Sequence, residues 1–325
     1  MQAIGGYFEL ADYEEGKGFP HQNGILLNTG RNALEYILRS IGEVKRIYLP
    51  YYTCEVVLEP LEKLHIPYIY YHINQQFEML DNIQSKEGEY IIANNYFGIK
   101  DAYIQQLARQ YGDHLIVDCA QAFFAKPIPG IKAFYSPRKY VGVADGGVAY
   151  LGNLPDDLVK VEEMESTGEH DNHLFKRKLF GAEAGFADYQ VNEKKLDDQP
   201  IRSMSLQTKW LLDHIDYDNV VARRRENYEY LYKALGALNA LMLPDTDSFA
   251  CPMVYPFMSK TDRNLRKELI DNKVFVARYW PNVLDWTNKN EIEYILAEQM
   301  QPLPIDQRYG KEELERIINN IKEYA

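Results

Sequence analysis

The chain has 325 residues, of which 46% are hydrophobic and 26% are charged, the balance of an ordinary soluble globular protein. This length exceeds what one hydrophobic core usually spans, so we expect a large domain and a smaller one. The excess of 48 acidic over 36 basic residues gives a net charge of −12, which argues against nucleic acid as a polymer partner. Three widely spaced cysteines make a disulfide scaffold or a zinc knuckle unexpected. The first residues lack a signal-peptide pattern and no apolar run approaches the roughly 18 residues of a membrane span, so we expect a cytoplasmic protein.

The first two-thirds of the chain alternate short apolar segments with helical patterns, which is typical of an α/β fold. Strands are predicted at residues 46–50, 67–72, 89–94, 114–118, 133–136 and 147–151, and helices at 31–41, 53–64 and 101–111. Thr53 is expected to cap the second of these helices. Runs such as YIIA and LIV are apolar throughout, which predicts a mostly parallel sheet covered by helices on both faces.

The rest of the chain predicts a different organisation. Residues 156–200 are polar and mixed, and we expect helices and loops there that pack on a partner chain. Helical segments follow at 205–214 and 218–235, and the basic run 223–225 is interpreted as a solvated face. Strands at 252–257 and 274–278 and helices at 262–272 and 311–324 then form an α+β pattern. We therefore expect a large domain at 1–215 and a small α+β domain at 216–325.

A short turn from Asn28 to Ala33 leads into the first helix. Free backbone N–H groups and the helix dipole make such a turn receptive to phosphate. Taken alone, the segment favours an ordinary turn with Gly30 at its bend and Asn32 near the helix cap.

The apolar strand Leu115 to Val117 ends in Asp118. In open α/β sheets, ligands bind at the carboxyl ends of the strands. A carboxylate there could hold a protonated pyridine nitrogen, a metal ion or a ribose hydroxyl. It could equally cap the following turn.

A lysine, Lys139, lies in a loop twenty-one residues beyond Asp118, and the pair Gly146–Gly147 opens the next strand. A desolvated lysine beside another cation has a lowered pKa and can form a Schiff base, and Arg138 supplies such a charge. Without further context, two solvated surface cations explain this loop better.

Other candidates for chemistry are weaker. The segment 169–173 offers an acid and two histidines, but it lies in a polar stretch without another ligand and favours a flexible loop over a metal site. Cys119 is interpreted as a small buried residue rather than a nucleophile, because the adjacent carboxylate raises a thiol pKa. The sequence contains no GxGxxG, GxxxxGK[ST] or GxSxG motif.

In combination and in this order, the segments resemble the DegT/DnrJ/EryC1 family of sugar aminotransferases, which are fold-type-I pyridoxal-phosphate (PLP) enzymes. The resemblance runs along most of the chain and rests on LNTGRNAL, IYLPYYTCEVVLEPL, IIANNYFGIKD, LIVDCAQAF, YSPRKYVGVADGG and IRSMSLQTKWLLDHI, with RYWPNV and PLPIDQRYGKEELERII towards the end. It implies a mostly parallel seven-stranded sheet flanked by helices and a small α+β C-terminal domain.

The resemblance also implies roles for single residues. Lys139 would bind PLP covalently and shuttle protons, and Asp118 would keep the pyridine nitrogen protonated. The remaining cofactor contacts would come from Gly30, Arg31 and Asn32 at the phosphate, Gln121 at the ring, Cys54 at the position that usually stacks on the ring, and Ser136 in place of the usual phosphate-binding serine. No metal is implied.

This sequence departs from the family mildly at Asp145, which replaces the usual glutamate, and more strongly at three other places. Cys54 replaces the stacking aromatic, for which Tyr51, Tyr52 or Tyr96 could substitute. Phe134 replaces the phosphate-binding serine, and an asparagine that the partner subunit normally supplies is missing around Pro200.

The resemblance implies a homodimeric aminotransferase that moves an amino group, from glutamate, to a nucleotide-linked keto-sugar in amino-sugar biosynthesis. The alternatives are a regulatory, non-catalytic PLP-binding relative or another sugar-modifying reaction such as dehydration. Sugar dehydratases of this group carry histidine at the lysine position, so Lys139 argues against dehydration.

Overall fold

A computed structural model of the chain describes residues 2–12, 18–155, 159–162, 171–261 and 263–324. Its strands are β1 Ile4–Gly5, β2 Ile25–Leu27, β3 Arg46–Pro50, β4 Tyr68–Tyr71, β5 Glu89–Asn94, β6 Leu115–Cys119, β7 Lys132–Tyr135, β8 Gly147–Leu151, β9 Val254–Phe257, β10 Val274–Phe275 and β11 Gln301–Pro304. Its helices are α1 Gly30–Ile41, α2 Leu58–Lys63, α3 Asp101–Tyr111, α4 Asn172–Phe180, α5 Phe186–Lys195, α6 Leu206–Asp213, α7 Tyr217–Leu235, α8 Arg266–Asp271, α9 Val283–Trp286, α10 Ile292–Gln299 and α11 Lys311–Tyr324. Within these ranges, no helix combines the length and the apolar character needed to cross a bilayer.

The centre of the molecule is a seven-stranded sheet in the order β2-β8-β7-β6-β5-β3-β4. Strands β3 to β7 are parallel to one another, whereas β8 pairs antiparallel with both β7 and β2. The predicted fold class, a mostly parallel sheet flanked by helices, is therefore confirmed.

Neighbouring residues of the central strands face opposite layers of core. Val117 belongs to one hydrophobic cluster and Ile116 to the other, which lies on the same side as α1. Because side chains alternate along a strand, Asp118 and Ser136 share the α1 side with Ile116 and Phe134. The strands therefore deliver these two polar side chains towards the beginning of α1.

The C-terminal part contains two further two-stranded sheets. Strand β9 pairs antiparallel with β11, and α7 packs against β9 and α11. The other small sheet joins β1 to β10 in parallel, so the beginning of the chain lies against the C-terminal part. A domain border after residue 215 stays a prediction.

Two local predictions are wrong. Thr53 caps no helix: a 3-10 turn begins at Glu55 and α2 only at Leu58. The Thr53 hydroxyl instead accepts a hydrogen bond from Asn94 Nδ2 at 3.1 Å, and its carbonyl accepts one from Asn282 Nδ2 at 2.9 Å. The Thr53 hydroxyl and carbonyl, which a helix cap would use, therefore bind side chains that are distant in sequence.

The basic run 223–225 is not a solvated face. Arg223 is exposed and pairs with Glu226, but Arg224 is fully buried. The Arg224 guanidinium donates to the carbonyl oxygens of Met253 at 2.9 Å and Tyr140 at 3.2 Å. Its charge therefore lies inside the protein, next to the loop that carries Lys139.

Candidate active site

Asp118 is the second-last residue of β6, and it is about nine-tenths buried. Its Oδ1 accepts a hydrogen bond from the backbone N–H of Ala120 at 2.8 Å, so one oxygen caps the turn, as the simpler interpretation expected. Burial raises the pKa of Asp118 to about 6, while the Ala120 N–H and the Lys139 charge act in the opposite direction. The other oxygen, Oδ2, is left for a further donor, and a cationic donor would stabilise the ionised carboxylate.

Lys139 is the last residue of the short 3-10 turn Pro137–Lys139, and its side chain is exposed. The backbone just after it is firmly held: the Tyr140 carbonyl accepts hydrogen bonds from Arg224 Nη2 at 3.2 Å and Gln307 Nε2 at 2.9 Å. Helix α5 holds the rest of the loop, through an Arg138–Glu193 ion pair and through Asn192 Nδ2, which donates to the Ala144 carbonyl at 3.0 Å. A loop held from two sides thus carries an exposed lysine, whose amine makes no hydrogen bond or ion pair with the residues that the structure describes.

The turn before α1 forms a compact cradle. Thr29 caps the helix by accepting the Asn32 N–H at 3.0 Å. A Cβ on Gly30 would lie 3.8 Å from Ser136 Cβ, so the residue that follows β7 contacts the start of α1. Among the described residues, the buried Ser136 hydroxyl has no protein hydrogen-bond partner. Its position beside a helix N-terminus suits an anion.

Gly147 closes this cradle from behind. A Cβ at Gly147 would lie 2.1 Å from the Thr29 carbonyl oxygen and 2.7 Å from the Gly30 nitrogen, which are both backbone atoms. Only glycine allows this approach. Gly147, from the Gly-Gly pair singled out in the sequence, therefore packs directly on the turn before α1.

The segment 197–202 of the same chain covers the other side of the turn. Arg31 Nη1 donates to Asp197 at 2.5 Å and to Glu59 at 2.8 Å, so two carboxylates already neutralise its charge. Asn32 Nδ2 donates to the Gln199 carbonyl at 2.8 Å. These side chains hold the turn in shape, and the backbone N–H groups of Gly30 and Arg31, in the first turn of α1, have no acceptor within the helix.

Cys54 lies close enough to Lys139 and Asp118 for their charges to act on it. Burial raises the pKa of the Cys54 thiol most, the Lys139 charge lowers it and the Asp118 charge raises it further. The structure thus brings Cys54, Lys139 and Asp118 together, although they are far apart in sequence. The raised thiol pKa makes Cys54 a neutral wall residue rather than a nucleophile.

The three tyrosines weighed as substitutes for the stacking aromatic have other contacts. Tyr51 stacks on Tyr70, with ring centroids 4.6 Å apart. Tyr52 is fully buried, and the Tyr96 hydroxyl donates to its carbonyl oxygen at 2.7 Å. Cys54, by contrast, lies within reach of the Lys139 charge.

Gln121 and Cys119 occupy the turn after Asp118. Gln121 Oε1 accepts the Phe97 N–H at 3.2 Å, and its backbone carbonyl accepts the Tyr140 hydroxyl at 2.8 Å. Cys119 is buried with its thiol pKa raised well above the usual range, mainly by burial, which agrees with its interpretation as a structural residue.

The residues of this site fit PLP. A free amine, a buried carboxylate with an open oxygen, and a cradle of backbone N–H groups beside an unpartnered hydroxyl match the carbonyl carbon, ring nitrogen and phosphate of that group. Within the described ranges, no group of three or more His, Cys, Asp or Glu side chains is placed to hold a metal ion. Two residues of the 169–173 segment, 169 and 170, lie outside those ranges.

Sequence reasoning missed Glu193, Asn192 and Arg224 as residues that hold the lysine loop. Their contacts join elements between about 50 and 85 positions apart, so no local motif announces them. Arg224 carried one signal, a charge at a position that a helical period places next to apolar Val220.

No model of a protein family matches this chain, and no curated protein matches it. Solved structures do. DesV of S. venezuelae, determined in complex with a ketimine intermediate, is 15% identical, with a TM-score of 0.61 over 92% of this chain and 84% of its own. A DegT DnrJ EryC1 StrS aminotransferase of Brucella abortus is 15% identical, with a TM-score of 0.62 over 92% and 85%. DesI, determined in the presence of its TDP-sugar product, is 13% identical, with a TM-score of 0.61 over 92% and 80%. The chain has the fold of these aminotransferases.

Proposed function

We propose that this chain is a PLP-dependent aminotransferase that moves an amino group from an amino acid, glutamate, to a keto-sugar carried on a nucleotide. The observation that carries the proposal is one cluster: the free Lys139 amine, the buried Asp118 carboxylate and the Gly30–Ser136 cradle meet at the carboxyl ends of neighbouring strands. The resemblance to solved sugar aminotransferases supports the choice of substrate class.

Each residue has a defined task in this proposal. PLP, when bound, supplies the electron sink for a carbanion. Lys139 Nζ would hold the cofactor and serve as the proton carrier, for which an exposed side chain on a loop held by hydrogen bonds is suited. Asp118 Oδ2 would hold the ring nitrogen in its protonated form, and Ser136 with the Gly30 N–H would hold the phosphate.

A homodimer in the cytoplasm is part of the proposal. Helices α4 to α6 expose several large apolar side chains, which is unusual for a surface that faces only water. They are Phe175, Leu179, Phe180, Phe186, Leu206 and Trp210, and Phe180 is 74% exposed. A second copy of the chain would cover this face.

Visible absorbance tests the proposal directly. Purified protein with PLP should show the band of a lysine-bound cofactor, and glutamate should bleach it. Lys139→Ala should still bind PLP non-covalently but lack that band and any turnover, whereas Lys195→Ala, an exposed lysine of α5, should behave like the wild type. A protein that stays colourless at saturating PLP would refute the assignment.

A regulatory PLP-binding role is the second candidate. The observation that favours it is the segment 197–202, which folds onto the turn of its own chain and lacks the asparagine that family members use across the dimer. A coloured protein that no amino donor bleaches would favour this role over catalysis.

A further inference from the structure

A cavity of about 610 Å³ opens beside Lys139 and extends away from Asp118, which is not among its lining residues. It lies between the N-terminal residues 5–8, helices α4 and α5, and the C-terminal strands. Its volume falls in the range of pockets that bury a ligand of drug size, and is more than one amino acid needs. The cavity therefore has room for a larger ligand that reaches Lys139 with one end.

Arg177 lines this cavity, and only 5% of its surface is exposed to solvent. Its Nη2 donates to the Gly5 carbonyl at 2.7 Å and its Nε to Glu9 at 3.2 Å, which fixes the guanidinium. Its Nη1 is buried without a hydrogen-bond partner in the described structure. A Cβ on Gly6 would lie 3.2 Å from that Nη1, so the missing side chain leaves space beside it. A fixed donor without an acceptor, next to a gap, calls for an anion.

A second arginine lies in the same region. Arg266 Nη1 donates to the Val276 carbonyl at 2.7 Å, one residue beyond the β10 strand that pairs with Gly5. Burial lowers the pKa of Arg266 most and the neighbouring Arg278 lowers it further, while Glu298 acts in the opposite direction. Within the described ranges, Arg266 makes no ion pair with a carboxylate.

The whole lining is electropositive in an acidic chain. The charged residues of the wall are Arg138, Lys139, Arg177, Arg224 and Arg266 against Glu183 and Asp306. The carboxylates of Glu9 and Glu193 outside the lining pair with two of these arginines, and one positive charge still remains in excess. The protein as a whole carries −12. Such local reversal of sign attracts an anion to the cavity.

Apolar and aromatic side chains form the remaining wall, among them Phe8, Phe186 and Tyr189. A small dicarboxylate would leave most of this surface uncovered. A nucleoside diphosphate combines a polyanion with a flat, partly apolar base, and so matches both kinds of wall.

We propose that the Arg177 end of the cavity binds the diphosphate of the nucleotide that carries the keto-sugar. The sugar would then point to Lys139. This inference rests on the proposed function, because that function supplies the nucleotide-linked substrate. Arg177 Nη1 donates a charge-assisted hydrogen bond to a phosphate oxygen, and Arg266 contributes the second charge.

Calorimetric titration of uridine diphosphate and thymidine diphosphate into the full-length protein tests the site without turnover. Arg177→Gln should weaken binding of at least one of them by about tenfold to a hundredfold, the loss of one charge-assisted contact. The matched control is Lys176→Gln, which removes an exposed charge from the same helix outside the cavity and should change affinity less than twofold. The affinity for 2-oxoglutarate should stay the same in both variants.

Thermal melts guard against loss of the fold. If Arg177→Gln does not fold, Arg266→Gln takes its place and should weaken binding about tenfold. The inference is wrong if the wild type binds neither nucleotide at millimolar concentration, or if folded arginine variants bind as the wild type does. It is also wrong if Arg177→Gln weakens 2-oxoglutarate instead, because the anion would then be the carboxylate of the donor.

The same samples separate this inference from the proposed function. If the protein binds nucleotide through Arg177 but never takes up PLP, the proposed function is wrong and the nucleotide site is supported. If the protein takes up PLP and glutamate bleaches it but no nucleotide binds, the nucleotide site is wrong and the proposed function is supported.

Discussion

Replacing Asp118 by asparagine should make the cofactor-free protein more stable at neutral pH, although it removes a residue proposed to be essential. Asparagine keeps the oxygen that accepts the Ala120 N–H but carries no charge to bury. The pKa of Asp118 is raised from its ordinary value of 3.8 to about 6, chiefly by burial. In that window the folded chain keeps a proton that the unfolded chain has released, so ionisation costs stability as the pH rises.

The magnitude follows from the size of that shift. A difference of about two pH units, at about 1.4 kcal/mol per unit, gives a cost of about 3 kcal/mol that is fully present above pH 6. Integration over the same window leaves about half of it at pH 5. The Asp118→Asn protein should therefore gain up to about 3 kcal/mol at pH 7.5 and clearly less at pH 5.

Urea unfolding of PLP-free protein at the two pH values measures this gain. Asp213→Asn, a change at an exposed aspartate of α6, is the control and should alter stability by less than about 0.5 kcal/mol. Saturating PLP should stabilise the wild type more than Asp118→Asn, because the variant lacks the carboxylate proposed to hold the ring nitrogen. An equal gain at both pH values, or a loss at pH 7.5, would refute the claim that Asp118 is a buried charge awaiting a cation.

Two further substitutions test the scaffold. Gly147→Ala would place a Cβ 2.1 Å from the Thr29 carbonyl and should cost about 1–3 kcal/mol in urea unfolding and lower PLP affinity, whereas Gly236→Ala, where a Cβ meets nothing within 4 Å, should be neutral. Retained PLP affinity in Gly147→Ala would contradict the cradle. Arg224→Gln removes a buried cation that holds the lysine loop and should cost about 3 kcal/mol or more, whereas Arg223→Gln on the exposed face should cost less than about 0.5 kcal/mol. Equal losses in the two arginine variants would place Arg224 outside the scaffold.

The sheet and several helices could be predicted from sequence because their signals are local. The predicted bounds of β3, β5, β8, α3 and α11 agree with the structure, since alternation, apolar runs and helical periods determine those elements within a few residues. The predicted cap at Thr53 failed because its hydroxyl and carbonyl bind Asn94 and Asn282, which are 41 and 229 positions away. No window along the chain contains that information.

The candidate site shows the same division. A turn before a helix, an acid at a strand end and a lysine before two glycines each have a milder explanation, and their order made them informative. Their burial and mutual approach come from packing: the sequence indicated neither that Cys54 lies within reach of the Lys139 and Asp118 charges nor that Arg31 is already neutralised by Asp197 and Glu59.

The departures from the family pattern change single side-chain contacts, whereas the backbone that carries the candidate site is held in place. Phe134 is buried in the core beside α1, and the next position on the same face, Ser136, is also buried and has its Cβ 3.8 Å from where a Cβ on Gly30 would lie. The lysine loop is held by Arg224 and Gln307 from one side and by Asn192 from the other. These contacts hold the backbone beside an exposed lysine in one position, and a fixed position is what a reacting amine needs, so the catalytic proposal stands ahead of the regulatory one.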